Sequence, residues 1–251
     1  MLNDEQLLRY SRQIMLPQLD IAGQQALLDA SVLVIGAGGL GCPAALYLAA
    51  SGVGKLLIND FDDVELSNLQ RQIAHTESDV ASSKVESLKC SLQAINSSIE
   101  VESIGFCLNE AELCKRVRQV DVVLDCSDNF ETRHLINKVC VVARKPLVSG
   151  AAIGFDGQVA VFDSRDKSAP CYRCLYPDVL EANVSCAENG VLSPVVGVVG
   201  AMQALEAIKL IAGVGVSLTG GLLIFDALKA DWRRLKLNKD TKCPVCAEEP
   251  L

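Results

Sequence analysis

Three glycines near the N-terminus have the spacing of a phosphate-binding turn. Gly36, Gly38 and Gly41 satisfy G-x-G-x-x-G within SVLVIGAGGLG, directly after a short β-branched run and before a helical pattern. Glycine lets the backbone approach a phosphate, and the start of the following helix offers free N–H groups to it. Asp60 lies where a carboxylate can bind ribose hydroxyls. We therefore predict a site for NAD or for another adenine nucleotide, with a tight turn without ligand as the alternative.

The segment after Asp60 supplies cations that suit a more highly charged nucleotide. DFDDVELSNLQRQ contains Asn68, Arg71 and Gln72, and Lys84 follows shortly after. NAD carries about two phosphate charges, whereas ATP carries about four near neutral pH and normally needs side-chain cations and Mg²⁺. Arg71 and Lys84 can provide those cations, although a pair of solvated surface charges would give the same pattern.

Two carboxylates follow a later strand-like run. VVLDCSDN puts Asp125 at the end of that strand and Asp128 in the loop beyond it. Ligands of open α/β sheets bind along the carboxyl edge of the strands. We expect Asp125 to cap the strand or orient a neighbour, and Asp128 to be the better Mg²⁺ ligand.

Two CxxC pairs predict a metal site. Cys171 and Cys174 form one pair, and Cys243 and Cys246 form the other. Four thiolates close a tetrahedral zinc site and leave no open position for chemistry, so the metal would pin the C-terminal segment to the middle of the chain. A redox role for each pair is the competing hypothesis.

The other cysteines and the histidines give weaker signals. Cys186 lies in NVSCAENG, a polar, loop-like segment, where an idle thiol is more common than a nucleophile. His75 and His134 form no triad and are assigned no role. The remaining cysteines are interpreted as core residues of helices and strands: Cys42, Cys90, Cys107, Cys114, Cys126 and Cys140.

Composition limits the function classes. The formal net charge of −8 argues against a nucleic-acid partner and against an anionic membrane surface. The N-terminal residues are polar and do not resemble a signal peptide. The most apolar run, 191–213, contains Gln203, Glu206 and Lys209, which favours a buried or subunit-packing helix over a membrane span. We expect a soluble, cytoplasmic protein, in which an odd count of 11 cysteines points to metal ligation or thiol chemistry.

Hydrophobic periodicity predicts alternating strands and helices. The first 30 residues have helical spacing, with Pro17 and Gly23 as breaks. Strands are predicted at 31–35, 55–59, 99–104, 120–124, 146–149, in GFDGQVAVF, at 221–225 and at 232–237. Helices are predicted at 40–50, 83–95, 110–117, 130–143 and 193–212.

This order predicts one α/β unit over residues 1–251. We expect a Rossmann-like, mainly parallel sheet with helices on both faces, antiparallel strands in the C-terminal half and a Cys₄ zinc clamp. A helical arm would occupy residues 1–30, a nucleotide-binding half 31–150 and a second half 151–251.

Seven motifs, in order along the chain, closely resemble those of the MoeB/ThiF family, bacterial relatives of the ubiquitin-activating enzyme. They are RYSRQI, GAGGLG, DFDDVELSNLQRQ, the lysine at 84, DCSDN, CYRCL and CPVC. The resemblance extends from Leu8 to Cys246. It implies ATP-dependent adenylation of a ubiquitin-like sulfur-carrier protein that ends in Gly-Gly, with ATP, Mg²⁺ and a structural Zn²⁺.

The resemblance also implies roles for residues. Gly36, Gly38, Gly39 and Gly41 would approach the phosphates, Asp60 would hold the ribose, and Asp128 would hold Mg²⁺. Further nucleotide contacts would come from Ser67, Asn68, Arg71, Lys84 and Asn129. Arg12 would reach the site of the other subunit, which implies a homodimer with two shared sites. Cys186 matches a cysteine that, in thiamine-branch members, joins covalently to the carrier's activated C-terminus.

The family's branches share these motifs. PLVSGAAI resembles the molybdopterin branch, while GFDGQ and CLYPD resemble the thiamine branch, and we favour molybdopterin. The half 151–251 would bind the carrier, and a cysteine desulfurase or rhodanese would donate the sulfur. An NAD-dependent oxidoreductase and a catalytically silent scaffold remain as alternatives from other classes.

Overall fold

The computed structural model describes residues 2–177 and 190–247. The strands are β1 (Ser31–Ile35), β2 (Lys55–Asn59), β3 (Glu100–Ile104), β4 (Val122–Asp125), β5 (Leu147–Ile153), β6 (Asp156–Phe162), β7 (Gly221–Asp226) and β8 (Asp231–Lys236). The helices are α1 (Asp4–Arg9), α2 (Ser11–Ile14), α3 (Asp20–Asp29), α4 (Gly41–Ala50), α5 (Lys84–Ile95), α6 (Glu110–Arg118), α7 (Phe130–Ala143), α8 (Tyr172–Leu175) and α9 (Ser193–Ala212).

The strands form one sheet with a topological switch point between β1 and β4. Its order is β3-β2-β1-β4-β5-β6-β7-β8, and the first five strands of this order pair in parallel with their neighbours. Ile35 pairs with Asn59 on one side and with Asp125 on the other, so three strands end at the same level. After β1 the chain crosses to β2 on one side and later returns to β4 on the other. This divergence opens the crevice in which open α/β sheets bind ligands.

The sheet changes to antiparallel pairing at β5. Leu147 to Ser149 pair in parallel with β4, while the whole of β5 pairs antiparallel with β6. The β6–β7 and β7–β8 pairs are also antiparallel. The predicted fifth strand at 146–149 was therefore too short, because pairing with β6 extends it to Ile153. The fold class, parallel strands first and antiparallel strands later, is confirmed.

Helices cover both faces of the sheet. One hydrophobic cluster joins α3, α4, α5 and α9 to side chains such as Val34 and Ile58. A second cluster, on the other face, joins α6 and α7 to side chains such as Leu33 and Leu57. Strands that are buried on both faces explain the continuous apolar runs, since successive side chains point to opposite faces.

Helix α9 meets the length and hydropathy criteria for a membrane-spanning helix, the only one to do so within residues 2–177 and 190–247. Its packing accounts for its apolar composition, since Val195, Val199 and Ala204 belong to the cluster shared with α4 and the sheet. Gln203 and Glu206 are also buried, and both make hydrogen bonds inside the fold. The helix has the packing of a core helix.

The N-terminal arm differs from its prediction at one glycine. Pro17 lies between α2 and α3, as expected of a helix breaker, but Gly23 lies inside α3. A Cβ on Gly23 would lie 2.8 Å from Leu19 Cδ1 and 3.6 Å from Ala212 Cβ. The close contact at Gly23 is therefore with Leu19, at the start of the same helix, and the prediction of Gly23 as a break was wrong.

Most predicted elements are confirmed to within two residues. Four agree at both ends: the strands at 31–35 and 55–59 and the helices at 130–143 and 193–212. Two cysteines contradict the prediction of core packing. Cys90 is exposed on α5, and Cys107 is exposed in the loop after β3. Cys42, Cys126 and Cys140 are buried as predicted, although Cys126 lies just beyond β4, and Cys114 is half-buried.

Candidate active site and metal centre

The glycine loop 36–41 joins β1 to α4 at the switch point. Gly36 has a φ of +99°, and a Cβ there would lie 2.6 Å from the carbonyl oxygen of Cys126. A Cβ on Gly41 would lie 1.8 Å from the carbonyl oxygen of Gly36. Only glycine fits either position, because the loop turns back on itself and against the neighbouring β4 loop. The N-terminus of α4 consequently begins in the crevice.

Asp60 is attached to this loop by a hydrogen bond. Its Oδ2 accepts from the backbone N–H of Ala37 at 2.7 Å, and its Oδ1 accepts from the N–H of Asp62 at 2.9 Å. The carboxylate is thus held directly beside the glycine turn, at the end of β2. This is the place where a nucleotide-binding sheet needs an acceptor for ribose hydroxyls.

Lys84 is not a solvated surface charge. It is the first residue of α5, its side chain is only 8% exposed, and its Nζ lies 2.8 Å from Asp62 Oδ2. Burial of an ammonium is costly unless a counter-charge accompanies it. Asp62 provides that charge while its own side chain is 54% exposed. The ion pair therefore presents a buried cation at the border of the crevice.

The SNLQRQ segment forms a 3₁₀ turn on the same side. Asn68 Oδ1 accepts from the N–H of Glu65 at 3.1 Å, and Ser67 Oγ donates to Glu65 Oε2 at 3.0 Å. The half-buried Arg71 donates from Nη1 to the carbonyl oxygen of Ser67 at 3.1 Å. Gln72 is buried with Nε2 3.6 Å from the Cβ position of Gly38, and its Oε1 has no partner in the described part of the chain. The turn therefore brings polar side chains to the glycine loop.

The loop after β4 contains one buried and one exposed carboxylate. Asp125 accepts from the backbone N–H and Oγ of Ser127 at 3.1 and 2.6 Å and from Ser149 Oγ at 2.8 Å. It orients the loop, one of the two roles expected for it. Asp128 and Asn129 are exposed, and Asn129 Oδ1 caps α7 by accepting from the N–H of Thr132 at 2.8 Å.

Two buried polar residues that support this loop were missed in the sequence. Gln203 on α9 donates from Nε2 to the carbonyl oxygens of Asp125 and Val148 at 2.8 and 3.2 Å. Arg133 on α7 donates to the carbonyl oxygen of Gly150 at 3.0 Å. For Gln203 the available signal was a polar residue inside an apolar helical run, which was interpreted only as evidence against a membrane span, and Arg133 was given no interpretation.

One predicted residue, Arg12, is not brought into the crevice of one chain, and another, Cys186, cannot be placed because it is not among the described residues. Arg12 lies on the exposed side of α2, and its guanidinium makes no hydrogen bond or ion pair with residues 2–177 or 190–247. The prediction for Cys186 lies outside the described residues. In one chain the glycine loop, Asp60 and Asp128 follow the carboxyl ends of β1, β2 and β4. Arg71 lies between β2 and α5, and Lys84 begins α5, whereas Arg12 lies on α2.

The two CxxC pairs come together at a separate position. The Sγ atoms of Cys171, Cys174, Cys243 and Cys246 all lie within 4.8 Å of one another. Cys171 to Cys243 is 3.7 Å and Cys174 to Cys246 is 3.4 Å. Four sulfurs at about 2.3 Å from a tetrahedral zinc lie about 3.8 Å apart. The geometry fits a closed four-thiolate site.

Neighbouring donors complete this cluster. Asn137 Nδ2 lies 3.6 Å from Cys171 Sγ, and the N–H of Asp240 lies 3.5 Å from Cys174 Sγ. Burial raises the pKa of the Cys171 thiol to about 11. A cation bound by the four sulfurs would favour their thiolate form near neutral pH, and the N–H groups would stabilise the negative charge.

These features define the class: a nucleotide-binding α/β protein with a glycine loop at the switch point and a separate Cys₄ cluster that could hold a metal. The model of the ThiF family matches residues 10–245. The chain belongs to the ThiF family.

Two named relatives align with nearly the whole of this chain. It is 46% identical over 247 residues to the molybdopterin-synthase adenylyltransferase of Escherichia coli (strain K12), covering 98% of this chain and 99% of that protein. It is 47% identical over 252 residues to the adenylyltransferase and sulfurtransferase MOCS3 of Sus scrofa, covering 99% of this chain but 55% of that protein. The chain thus spans about half the length of MOCS3 relatives.

Solved structures share the fold. The structure titled "Crystal structure of E. coli MccB + ATP" superimposes with a TM-score of 0.83 at 25% identity, covering 96% of this chain and 75% of that one. E. coli MccB with MccA-N7isoASN gives a TM-score of 0.84 at 25% identity, with 95% and 74% covered.

Proposed function

We propose that this protein is an adenylyltransferase of molybdenum cofactor biosynthesis. It activates the C-terminal glycine carboxylate of a ubiquitin-like sulfur carrier with ATP, giving an acyl-adenylate and pyrophosphate. The observation that carries the proposal is the 46% identity to the E. coli molybdopterin-synthase adenylyltransferase across 99% of that protein. The relative named with ATP supports the choice of nucleotide.

The crevice supports ATP binding by complementary charge. The N-terminus of α4 and the glycines at 36, 38, 39 and 41 offer backbone N–H groups to phosphate oxygens, and Asp60 accepts from the ribose. Lys84 and Arg71 neutralise the triphosphate, with Ser67 and Asn68 as further donors. Lys84 is paired with the exposed Asp62 in the free protein, so a phosphate oxygen can replace that carboxylate as its counter-charge.

A divalent cation fits the loop after β4. Asp128 and Asn129 expose a carboxylate and an amide at the carboxyl edge of the sheet, and oxygen donors are the ligands that Mg²⁺ prefers. The single side-chain oxygen of Asn129 already accepts a hydrogen bond as the cap of α7, so Asp128 would be the principal Mg²⁺ ligand. When bound, Mg²⁺ would neutralise charge on the phosphates.

The reaction requires alignment more than acid–base catalysis. A carrier carboxylate is ionised near pH 7, so it attacks the α-phosphorus without a general base. A P–O bond forms to the carboxylate oxygen, and the bond to the β-phosphate oxygen breaks as pyrophosphate leaves. Lys84 and Arg71 stabilise the negative charge on the transferring group and on pyrophosphate. This role accounts for a site without a catalytic histidine.

A homodimer would complete the site with Arg12 from the second subunit. The arm that carries Arg12 exposes Leu8, Met15, Leu16 and Ile21, and the neighbouring α4 and α9 expose Tyr47 and Leu205. Apolar exposure of this extent is typical of a subunit interface. Arg12 has no intramolecular partner among the described residues, so its guanidinium is free to bind a phosphate across that interface.

The half 151–251 would bind the carrier. Phe155, Leu192, Leu228 and Trp232 are 39–74% exposed. The N–H of Ala227 donates to Phe155 O, and that of Leu192 donates to Gly154 O, both at 2.9 Å, so the patch is continuous. It lies at the end of β5, the same sheet edge as the nucleotide loops. A carrier seated there would be near the crevice into which its tail must extend.

The thiolate cluster would hold a structural Zn²⁺, because it is closed and separate from the crevice. A compartment that keeps thiols reduced and supplies ATP suits both sites, which supports a cytoplasmic location. Cys186 would be the thiol that reacts with the activated carrier, and a cysteine desulfurase or rhodanese would supply the sulfur.

The test is ATP–pyrophosphate exchange by the purified protein with each candidate carrier. Exchange that requires the intact Gly-Gly end of the molybdopterin-synthase small subunit would establish the proposal. Exchange only with the thiamine-branch carrier would keep the chemistry and change the pathway. Binding of NAD⁺ without exchange would favour an oxidoreductase. A folded protein that exchanges with no carrier would be a scaffold.

A further inference from the structure

The buried imidazole of His75 lies directly behind the glycine loop. Its Nε2 is 3.2 Å from the carbonyl oxygen of Ala37, and its Nδ1 is 2.8 Å from Ser87 Oγ. The nearby Cys42 Sγ is also 3.2 Å from the Ala37 oxygen. None of these three side chains contributes to the proposed chemistry, yet all are buried beneath the phosphate-binding turn.

The partners of His75 determine its protonation. Nε2 is also 3.6 Å from Cys42 Sγ, but that thiol donates to the Ala37 oxygen. A carbonyl oxygen can only accept, so Nε2 carries the ring proton, and Nδ1 accepts from the Ser87 hydroxyl. Burial lowers the pKa of His75, which keeps the ring in this neutral form near pH 7. His75 is therefore a fixed donor to the Ala37 carbonyl.

This donor sets the direction of a neighbouring N–H. In a trans peptide the C=O of Ala37 and the N–H of Gly38 point in opposite directions, and the described residues contain no cis peptide. With the carbonyl held toward the interior, the Gly38 N–H points outward into the crevice. That N–H has no hydrogen-bond partner within residues 2–177 and 190–247.

The Ala37–Gly38 peptide needs a hydrogen bond to hold its orientation. Glycine adopts either sign of φ at little cost, and Gly38 follows Ala37 directly, so this unit can rotate with little steric resistance. Rotation would turn the carbonyl oxygen, which repels phosphate, toward the ligand. A hydrogen bond from a buried donor opposes that rotation.

We propose that His75 is a positioning residue for nucleotide phosphate: it holds the Ala37–Gly38 peptide with the Gly38 N–H facing the ligand. Through Ser87 the same ring joins the glycine loop to α5, the helix that begins with Lys84. One imidazole thus sets the relative position of two phosphate-binding elements. For ATP as the ligand, the inference rests on the proposed function.

The experiment compares His75→Leu with His75→Gln. Leucine fills the space without a donor, whereas glutamine returns an amide N–H near the Nε2 position. Dissociation constants are measured by calorimetry for MgATP and, in parallel, for NAD⁺, because the loop would carry the phosphates of either. We expect His75→Leu to weaken binding about five- to tenfold, the effect of one hydrogen bond, and His75→Gln to restore most of it.

Asn96→Leu is the matched structural control. Asn96 is equally buried and donates to Tyr10 Oη and to Ala49 O at 2.8 and 2.9 Å, remote from the loop. The Asn96→Leu substitution should lower the thermal stability and leave the nucleotide affinity unchanged. A second readout is the Gly38 amide resonance of the free protein, which should shift in His75→Leu and not in Asn96→Leu.

The outcomes separate the two proposals. Unchanged nucleotide affinity and an unchanged Gly38 resonance in His75→Leu would overturn the role of His75. If the wild type binds NAD⁺ and not ATP, adenylation is wrong, and His75 is judged on NAD⁺ affinity. A wild type that binds neither nucleotide would overturn both.

Discussion

Cys171 Sγ lies 3.7 Å from Cys243 Sγ, although 72 residues separate them in the chain. The contact brings the segment after β8 back to the segment after β6. Around it, Cys171, Val141 and Cys243 form a small apolar cluster of their own, apart from the two cores on the sheet. A cluster this small has little hydrophobic stability, so the metal is expected to provide most of the attachment.

The first prediction concerns that metal. Cys243→Ser removes one thiolate from the cluster, and we expect the zinc content to fall from about one ion per chain to nearly none. The melting temperature should drop by about 10 °C or more, since structural zinc contributes binding free energy to folding. Elemental analysis and calorimetry measure both. Cys90→Ser, at an exposed cysteine, is the control, and an unchanged zinc content in Cys243→Ser would disprove a four-thiolate site.

The second prediction tests Asp128. Asp128→Ala removes the proposed Mg²⁺ ligand from an exposed loop whose shape is set by Asp125, so the fold should survive. We expect carrier-dependent pyrophosphate exchange to fall by about 10²-fold or more with an unchanged melting temperature. Glu131→Ala, at an exposed carboxylate in the first turn of α7, is the control and should leave the exchange rate unchanged. A normal exchange rate in Asp128→Ala would contradict the assignment of Asp128 as the Mg²⁺ ligand.

The third prediction tests Arg12 in trans. Arg12→Ala should reduce exchange without unfolding, because the side chain is exposed and unpartnered within the described residues. Heterodimers of Arg12→Ala with Asp128→Ala subunits should regain part of the activity, since one of the two shared sites then contains both residues. Differently tagged subunits allow the heterodimer to be isolated. Absence of rescue in confirmed heterodimers would argue for sites within single chains.

The fourth prediction concerns the carrier surface. Leu228→Glu places a charge in the exposed apolar patch, and we expect the KM for the carrier to rise about tenfold while the KM for ATP stays constant. Val216→Glu is the matched control, because Val216 is 75% exposed and Leu228 74%. Val216 precedes Thr219, which bridges to Val161 at the opposite end of β6. Equal effects of the two variants, or a change in oligomeric state, would contradict carrier docking at this patch.

The fifth prediction is a pH dependence of stability. Burial lowers the pKa of His75 in the folded state, against attraction by Asp79 and Asp60 and with repulsion by Lys84. Between about pH 6.5 and the folded pKa, the unfolded chain binds the extra proton, so the free energy of unfolding falls as the pH falls. The slope due to His75 is at most about 1.4 kcal/mol per pH unit. Above about pH 7 this contribution is constant.

Denaturant titrations of the wild type and His75→Gln measure this slope. The two curves of unfolding free energy against pH should converge on acidification, because the variant lacks the titrating ring. His134, whose pKa is also lowered by burial, is present in both proteins and cancels in the difference. Parallel curves between pH 5 and 7 would contradict a depressed pKa at His75.

The sequence predicted the class of each site better than the partners of each side chain. Lys84 was identified as a cation, yet its burial and its pairing with Asp62 depend on where α5 begins relative to β2. Asp125 and Asp128 were given separate roles from their positions in the sequence, and the hydrogen bonds of Asp125 to Ser127 and Ser149 show which of its two expected roles it has. His75 was assigned no role, and Gln203 was interpreted only as evidence against a membrane span, because the backbone carbonyls that they contact are distant in the chain.

What the sequence determined by itself are the properties that act locally. Apolar periodicity set the strands and helices, glycine spacing marked the turn before α4, and paired cysteines marked the four-thiol cluster. The tertiary structure decided the extension of β5 by its β6 partner, the exposure of Cys107 and the direction of the Ala37 carbonyl. These depend on which surfaces meet when distant segments pack, and burial and hydrogen bonding across such contacts are not encoded by the spacing of residues along the chain.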